Sequence, residues 1–276
     1  MELGESLEFR GRISVYFTPD VTYTLQTIMK PLFIRPHIFQ QHPQVLAAQS
    51  TRHGGISPAP FHSLNLGKST ADEPENVAEN RRRFCAALGI ETSQLAWSKQ
   101  VHGIEVRHVT ASGGAEGFDA LICATPGIVL AVSVADCTPI LIYDAQNQAV
   151  AAIHAGWRGT VTSIVQHTME RMQQVFGTTG AHCRAFIGAC IDECSFEVGE
   201  EVAETFGPAF KRWDAGRQKF FVDLKKANAA QLLEAGVSAA QVEISTFSTV
   251  LHNEDFFSHR LEKGATGRMM AVIGIR

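Results

Sequence analysis

Apolar and polar residues follow two patterns along the chain. From about residue 36 onward, short continuously apolar runs alternate with longer segments whose apolar residues recur at helical spacing. Continuous apolar runs mark strands covered on both faces. They predict strands at Ile128–Val134, Pro139–Tyr143, Ala149–Ile153, Arg184–Ile187, Val242–Thr246 and Met270–Ile275. Helical spacing predicts a first helix over Glu73–Leu88, with Val77, Phe84 and Leu88 on one face, Pro74 in its first turn and Gly89 as its stop. A second runs over Thr160–Phe176, with Ile164, Val165, Thr168, Met169 and Met172 in register and Gly177 ending it. A third covers Glu200–Phe206 and stops at Gly207-Pro208; a fourth follows Asp223 as N-cap and ends at Gly236. The expected fold is α/β: a layered α/β/α domain with a mixed sheet over residues 31–276. Residues 1–30 lack this punctuation and read as a variable N-terminal extension with one strand at Ile13–Phe17.

Composition narrows the function classes. With 276 residues, 45% hydrophobic and 19% charged, the chain has enough apolar material for one large core, which excludes extensive disorder. The longest apolar stretch, 127–135, contains a serine and is far short of the ~20 residues of a bilayer span, so no membrane role is expected. No basic segment followed by an apolar one opens the chain, so a cytoplasmic setting with reduced thiols is expected. The net charge of -4 argues against a nucleic-acid partner and leaves room for a local basic pocket. Six cysteines without a repeated CxxC do not form a disulfide framework, and Cys190 and Cys194, with no second pair, make a poor structural metal site. Oligomeric state is not legible.

The candidate chemistry lies in 134–160. Two apolar strands flank a polar turn at 144–147, which predicts a hairpin. Cys137 and His154 have their sequence midpoint in that turn, so they are expected at the same end. A thiol and an imidazole brought together read as two zinc ligands, as a nucleophile with its base, or as a buried neutral pair. His102, in Gln100-Val-His-Gly103, ends a strand-like run beside a glycine that allows close approach. With Cys137 and His154 it completes a His2Cys set, and three protein ligands with an open fourth position suit a catalytic zinc.

Two glycine-rich loops carry anion-binding potential. Ala155-Gly-Trp-Arg-Gly-Thr160 leads from strand to helix; it is either a tight turn or a phosphate cradle closed by Arg158. Thr51-Arg-His-Gly-Gly55 offers Arg52 as an oxyanion clamp, and the following 61–67 offers His62 and Asn65 to orient a substrate. Arg260 and Arg268, just before the last strand, read equally as surface charge or as site residues.

These stretches together carry a resemblance. Thr51-Arg-His-Gly-Gly, Leu64-Asn-Leu-Gly, Gln100-Val-His-Gly, Ala135-Asp-Cys-Thr-Pro, His154-Ala-Gly-Trp-Arg-Gly-Thr and Thr266-Gly-Arg-Met resemble the YfiH family over about 36–276. That family has been called multicopper polyphenol oxidase (laccase-like), purine nucleoside phosphorylase and peptidoglycan editing factor. The resemblance implies an α/β/α fold of the cytotoxic-necrotizing-factor/YfiH type and a zinc on His102, Cys137 and His154. It implies phosphorolysis of adenosine, inosine, guanosine and 5′-methylthioadenosine, and deamination of adenosine. The implied partners are thus a small nucleoside and phosphate, with His62 and Asn65 as candidates for nucleoside contacts and Arg52 and Arg158 for phosphate. Ser248, His259 and Leu261 depart from the family pattern, which touches substrate contacts rather than the metal set. The competing expectations are a copper-dependent phenol oxidase, a cysteine hydrolase acting on cell-wall precursors with Cys137 as nucleophile, and a zinc-stabilised module without activity. A laccase needs a further copper cluster built from many histidines, and no His-x-His pair is present.

Overall fold

The chain is described by a computed structural model over residues 30–276. The expected strand at Ile13–Phe17, and the N-terminal extension apart from Lys30, lie outside the described residues. The strands are β1 (Phe33–Ile34), β2 (Val45–Ser50), β3 (Leu95–Lys99), β4 (Val106–His108), β5 (Gly113–Glu116), β6 (Ala120–Cys123), β7 (Val129–Val134) and β8 (Thr138–Asp144). They continue with β9 (Ala149–Ala155), β10 (Cys183–Ile187), β11 (Glu197–Val198), β12 (Lys211–Asp214), β13 (Lys219–Val222), β14 (Val242–Ile244) and β15 (Met269–Ile275). The α-helices are α1 (Pro74–Leu88), α2 (Trp157–Val161), α3 (Ile164–Phe176), α4 (Glu200–Ala203) and α5 (Leu224–Glu234).

The expected α/β class holds, and its β layer is double. One mixed sheet has the order β1-β2-β15-β7-β3-β5, a second β14-β10-β8-β9-β6-β4, and β11-β13-β12 form a small third. Alternation along the strands explains the stacking. Leu130 and Val132 of β7 and Ala271 and Ile273 of β15 meet Leu141 and Tyr143 of β8 and Val150 and Ala152 of β9 between the two large sheets. The intervening residues face outward. Ile140, Ile142, Ala151 and Ile153 pack under α3, while Val129, Ala131 and Val272 pack against Phe84 and Leu88 of α1. Both faces of β8, β9 and β15 are buried, which is why they read as unbroken apolar runs. Each large apolar side chain so enclosed contributes about 1.5–3 kcal/mol.

The expected second helix is split. Ser163 adopts a left-handed backbone, φ 62°, and separates the short α2 from α3. The third helix is shorter than expected and ends at Ala203, while α1 ends at Gly89, φ 74°, and α5 starts at the Asp223 cap, as the punctuation implied. The 138–155 hairpin forms with Pro139 opposite His154 and Thr138 opposite Ala155. Its register is two residues off the midpoint expectation. A shift of two preserves the face, so Cys137, just before β8, and His154, near the end of β9, still share one side and one end. All six cysteines are free, and among the described residues no helix is long and apolar enough to cross a membrane.

Candidate metal centre and cleft

The site lies at the C-terminal ends of β3 and β7 of one large sheet and of β9 of the other. Donor atoms of His102, Cys137 and His154 all lie within 4.8 Å of one another. The rings of His102 and His154 meet edge to face at 4.8 Å between centroids. Gly156 makes this convergence sterically feasible. A Cβ there would sit 2.9 Å from His102 Cδ2 and 3.2 Å from Cys137 Sγ.

Asp119, which the sequence reading missed, holds the centre together. It is fully buried between β5 and β6, and its Oδ1 accepts the Nδ1–H of His154 at 2.8 Å. That contact leaves Nε2 of His154 for the shared space. The same carboxylate accepts the backbone N–H groups of Val101, His102 and Gly103 at 2.8–3.1 Å. These bonds hold His102 at φ 61°, a left-handed conformation that costs a non-glycine residue about 1–2 kcal/mol. One buried carboxylate thus orients two of the three candidate ligands. Its neighbour in sequence, Phe118, gave no polar signal that would have drawn attention to it.

Burial alone would raise the Cys137 thiol, but the facing His154 and His102 outweigh it and draw the thiol down to about 6. Burial opposes charge on His154 as well, and Cys137 with Asp119 outweighs it and raises the imidazole to about 9. Cys137 is therefore poised as a thiolate, the form that binds a metal or attacks an electrophile. A soft thiolate with two imidazoles, one held by a carboxylate, is a donor set that suits zinc or copper.

A cleft of about 410 Å³ extends from these three residues. Lys68, Arg81, Lys99, Arg260 and Arg268 line it, with Asp136 as its one carboxylate. Asp136 is turned into the protein: Oδ1 accepts from Thr249 and Oδ2 from the backbone N–H of Arg260. Arg260 and Arg268 are thus cleft residues rather than general surface charge. His259 also lines the cleft, while Leu261 is largely exposed and Ser248 packs beside Cys190.

Four expected substrate contacts lie elsewhere. Arg52 is outside the cleft lining: Nε donates to the His62 carbonyl, Nη1 to the Asn253 carbonyl, and Nη2 pairs with Glu262 at 3.0 Å. Its guanidinium stacks over Phe257 at 4.5 Å, and each of its three nitrogens already donates within the protein, so it clasps two loops. His62 is exposed and reaches the clasp only through its carbonyl. Asn65 is buried with its amide donating to Asp72 and Thr70, while its Oδ1 accepts from the backbone of Gly67 and Arg268. It positions cleft residues and does not face the cleft. Arg158 is exposed and lies over Trp157 at 4.4 Å, on an α2 of only five residues. Its glycines serve close packing, since a Cβ at Gly159 would approach the Gly103 carbonyl to 3.2 Å.

The chain is similar to known proteins over most of its length. The family model described as multi-copper polyphenol oxidoreductase laccase matches residues 46–276. A purine nucleoside phosphorylase of Deinococcus radiodurans is 42% identical over 247 residues, covering 89% of this chain and 93% of its own. The purine nucleoside phosphorylase YfiH of Escherichia coli is 38% identical over 244 residues, covering 86% and 97%. The crystal structure of YlmD from Geobacillus stearothermophilus superposes with a TM-score of 0.84 at 32% identity, covering 89% of this chain and 97% of that one. The Bacillus licheniformis YfiH structure gives a TM-score of 0.81 at 30% identity, covering 84% and 93%. The chain therefore belongs to the multi-copper polyphenol oxidoreductase laccase family, the family of YfiH and YlmD.

Proposed function

We propose that this chain is a zinc-dependent purine nucleoside phosphorylase that also deaminates adenosine. The observation that carries the reading is the junction of the His102–Cys137–His154 set with a cleft of five basic side chains and one inward-turned carboxylate. The names of the relatives supply the reaction class, and the cleft is large enough for a nucleoside with phosphate. Zinc on those three residues would supply Lewis acidity at an open fourth position.

The chain's own groups account for the rest. Asp119 fixes the His154 ring and the His102 backbone, so the ligands meet the substrate already oriented. The basic wall gathers phosphate and screens its charge as it approaches the sugar. In phosphorolysis a phosphate oxygen bonds to C1′ while the C1′–N9 bond breaks; its electron pair leaves with the purine, which takes up a proton. Deamination uses the same centre and needs no phosphate. Among the described residues, His102, Cys137 and His154 form the one cluster of three or more histidine, cysteine or acidic ligands, which favours zinc over a multi-copper oxidase.

A second reading has its own observation. Cys137, His154 and Asp119 also have the order of a nucleophile, base and orienting acid. A cysteine hydrolase gives no role to His102, whose ring completes the donor set. The test is incubation of the purified protein with inosine, with and without phosphate. Hypoxanthine and ribose 1-phosphate should form only with phosphate. Equal base release in both arms would mean hydrolysis and would remove the phosphorylase reading.

A further inference from the structure

Three consecutive arginines on α1 have different fates. Arg82 and Arg83 both pair with Glu79 on the exposed side. Arg81 turns inward, is 6% exposed, and lines the cleft. Its Nε donates to the Leu66 carbonyl at 2.9 Å, which tethers the side chain. Among the described residues, no carboxylate lies within ion-pair distance of its guanidinium. Its terminal nitrogens have no protein acceptor there either. A buried arginine without an acid is costly unless an anion joins it.

A second cation meets it. Lys68 Nζ lies 4.2 Å from the centroid of the Trp97 ring and Arg81 Cζ lies 5.7 Å from the same ring. Trp97 rests on Gly114, where a Cβ would come within 2.5 Å of the indole. Asn65 ties the loop before Lys68 to the backbone of Arg268, which fixes that side of the cleft. Burial and the neighbouring Arg81 both hold the Lys68 amine below its ordinary value. Two cations held over one ring repel, and an oxyanion bound to both relieves that repulsion.

We propose that Lys68 and Arg81, carried on Trp97, form the seat for a phosphoryl oxyanion, either inorganic phosphate or the phosphate ester of a nucleotide. Its role in turnover rests on the phosphorylase reading; the binding itself does not. The seat takes over the role expected of Arg52 and Arg158. The probes are inorganic phosphate, adenosine 5′-monophosphate and inosine, titrated calorimetrically into the metal-loaded protein and into Arg81→Met and Lys68→Met.

Arg81→Met should weaken phosphate or monophosphate binding by about 10- to 150-fold, the effect of losing a charge-assisted contact. Lys68→Met should act in the same direction, and inosine affinity should stay within about twofold. Loss with inorganic phosphate identifies the free anion as the occupant; loss with the monophosphate alone identifies the ester. Lys68 is exposed, so its variant keeps the test open where Arg81→Met fails to fold. Unchanged affinity for both anionic probes in a folded variant overturns the seat. If the wild type makes no ribose 1-phosphate yet loses anion binding on these substitutions, the seat stands and the phosphorylase reading falls.

Discussion

Asp119 concentrates more of the site's geometry than any of the candidate ligands. Its side chain orients His154 through one hydrogen bond and the His102 turn through three more. Asp119→Asn keeps the size but loses acceptor capacity, so zinc affinity should fall about 10- to 100-fold while the fold survives. Competition with a colorimetric chelator measures this, and an unchanged affinity would show that the ligands orient themselves. Arg52 belongs to a different kind of work. Burial would raise the Glu262 carboxyl, but hydrogen bonds from Thr266 and the Ser258 backbone, with the charge of Arg52, hold it below its ordinary 4.5. A carboxyl lowered by folding stabilises the native state above its unfolded value, and that contribution disappears as the pH falls through the folded one. Glu262→Gln should therefore cost roughly 1.5–3 kcal/mol near pH 7 and progressively less below about pH 4. Urea unfolding of both proteins across that range checks the sign; a gap that widens in acid would contradict it.

At the scale of elements, the hairpin and α1 set the site from opposite sides. The hairpin delivers Cys137 and His154 to one end because their separation from the turn differs by two, which changes neither face nor edge. Helix α1 delivers Arg81, and Phe84, fully buried one turn along, anchors it to the outer face of the β15 sheet. Phe84→Ala should cost about 3–5 kcal/mol by leaving a cavity there. Thermal or urea unfolding should register the loss, and a change below about 1 kcal/mol would mean that α1 is held by other contacts. These elements explain what was legible. His102 stands beside Gly103, His154 two residues before Gly156, and Cys137 directly before β8, where local punctuation marks them. Arg81 sits in a run of three arginines on a helix, and nothing local separates it from its paired neighbours. Arg52 beside Gly54-Gly55 looked like an anion loop because Glu262, its partner, is 210 residues away. The doubling of the sheet was hidden for the same reason. Its edge strands, β1, β4, β5 and β14, have only two to four residues each and gain their pairing from distant partners.

Across the whole molecule, a chain of net charge -4 gathers five basic side chains around one cleft and spends its one lining carboxylate inward. A basic cleft on an acidic chain favours anions beside the candidate metal ligands. The two stacked sheets support this by bringing residues at the ends of β3, β7 and β9 together. The reading requires one metal at one place, since the thiolate, the two imidazoles and the cleft form a single centre. The most direct measurement is the metal content per chain of the purified wild type and of Cys137→Ala, by elemental analysis under the same zinc loading. The wild type should hold close to one zinc and no stoichiometric copper, and Cys137→Ala should lose most of it. Several coppers in the wild type, or full zinc retained by Cys137→Ala, would contradict the account.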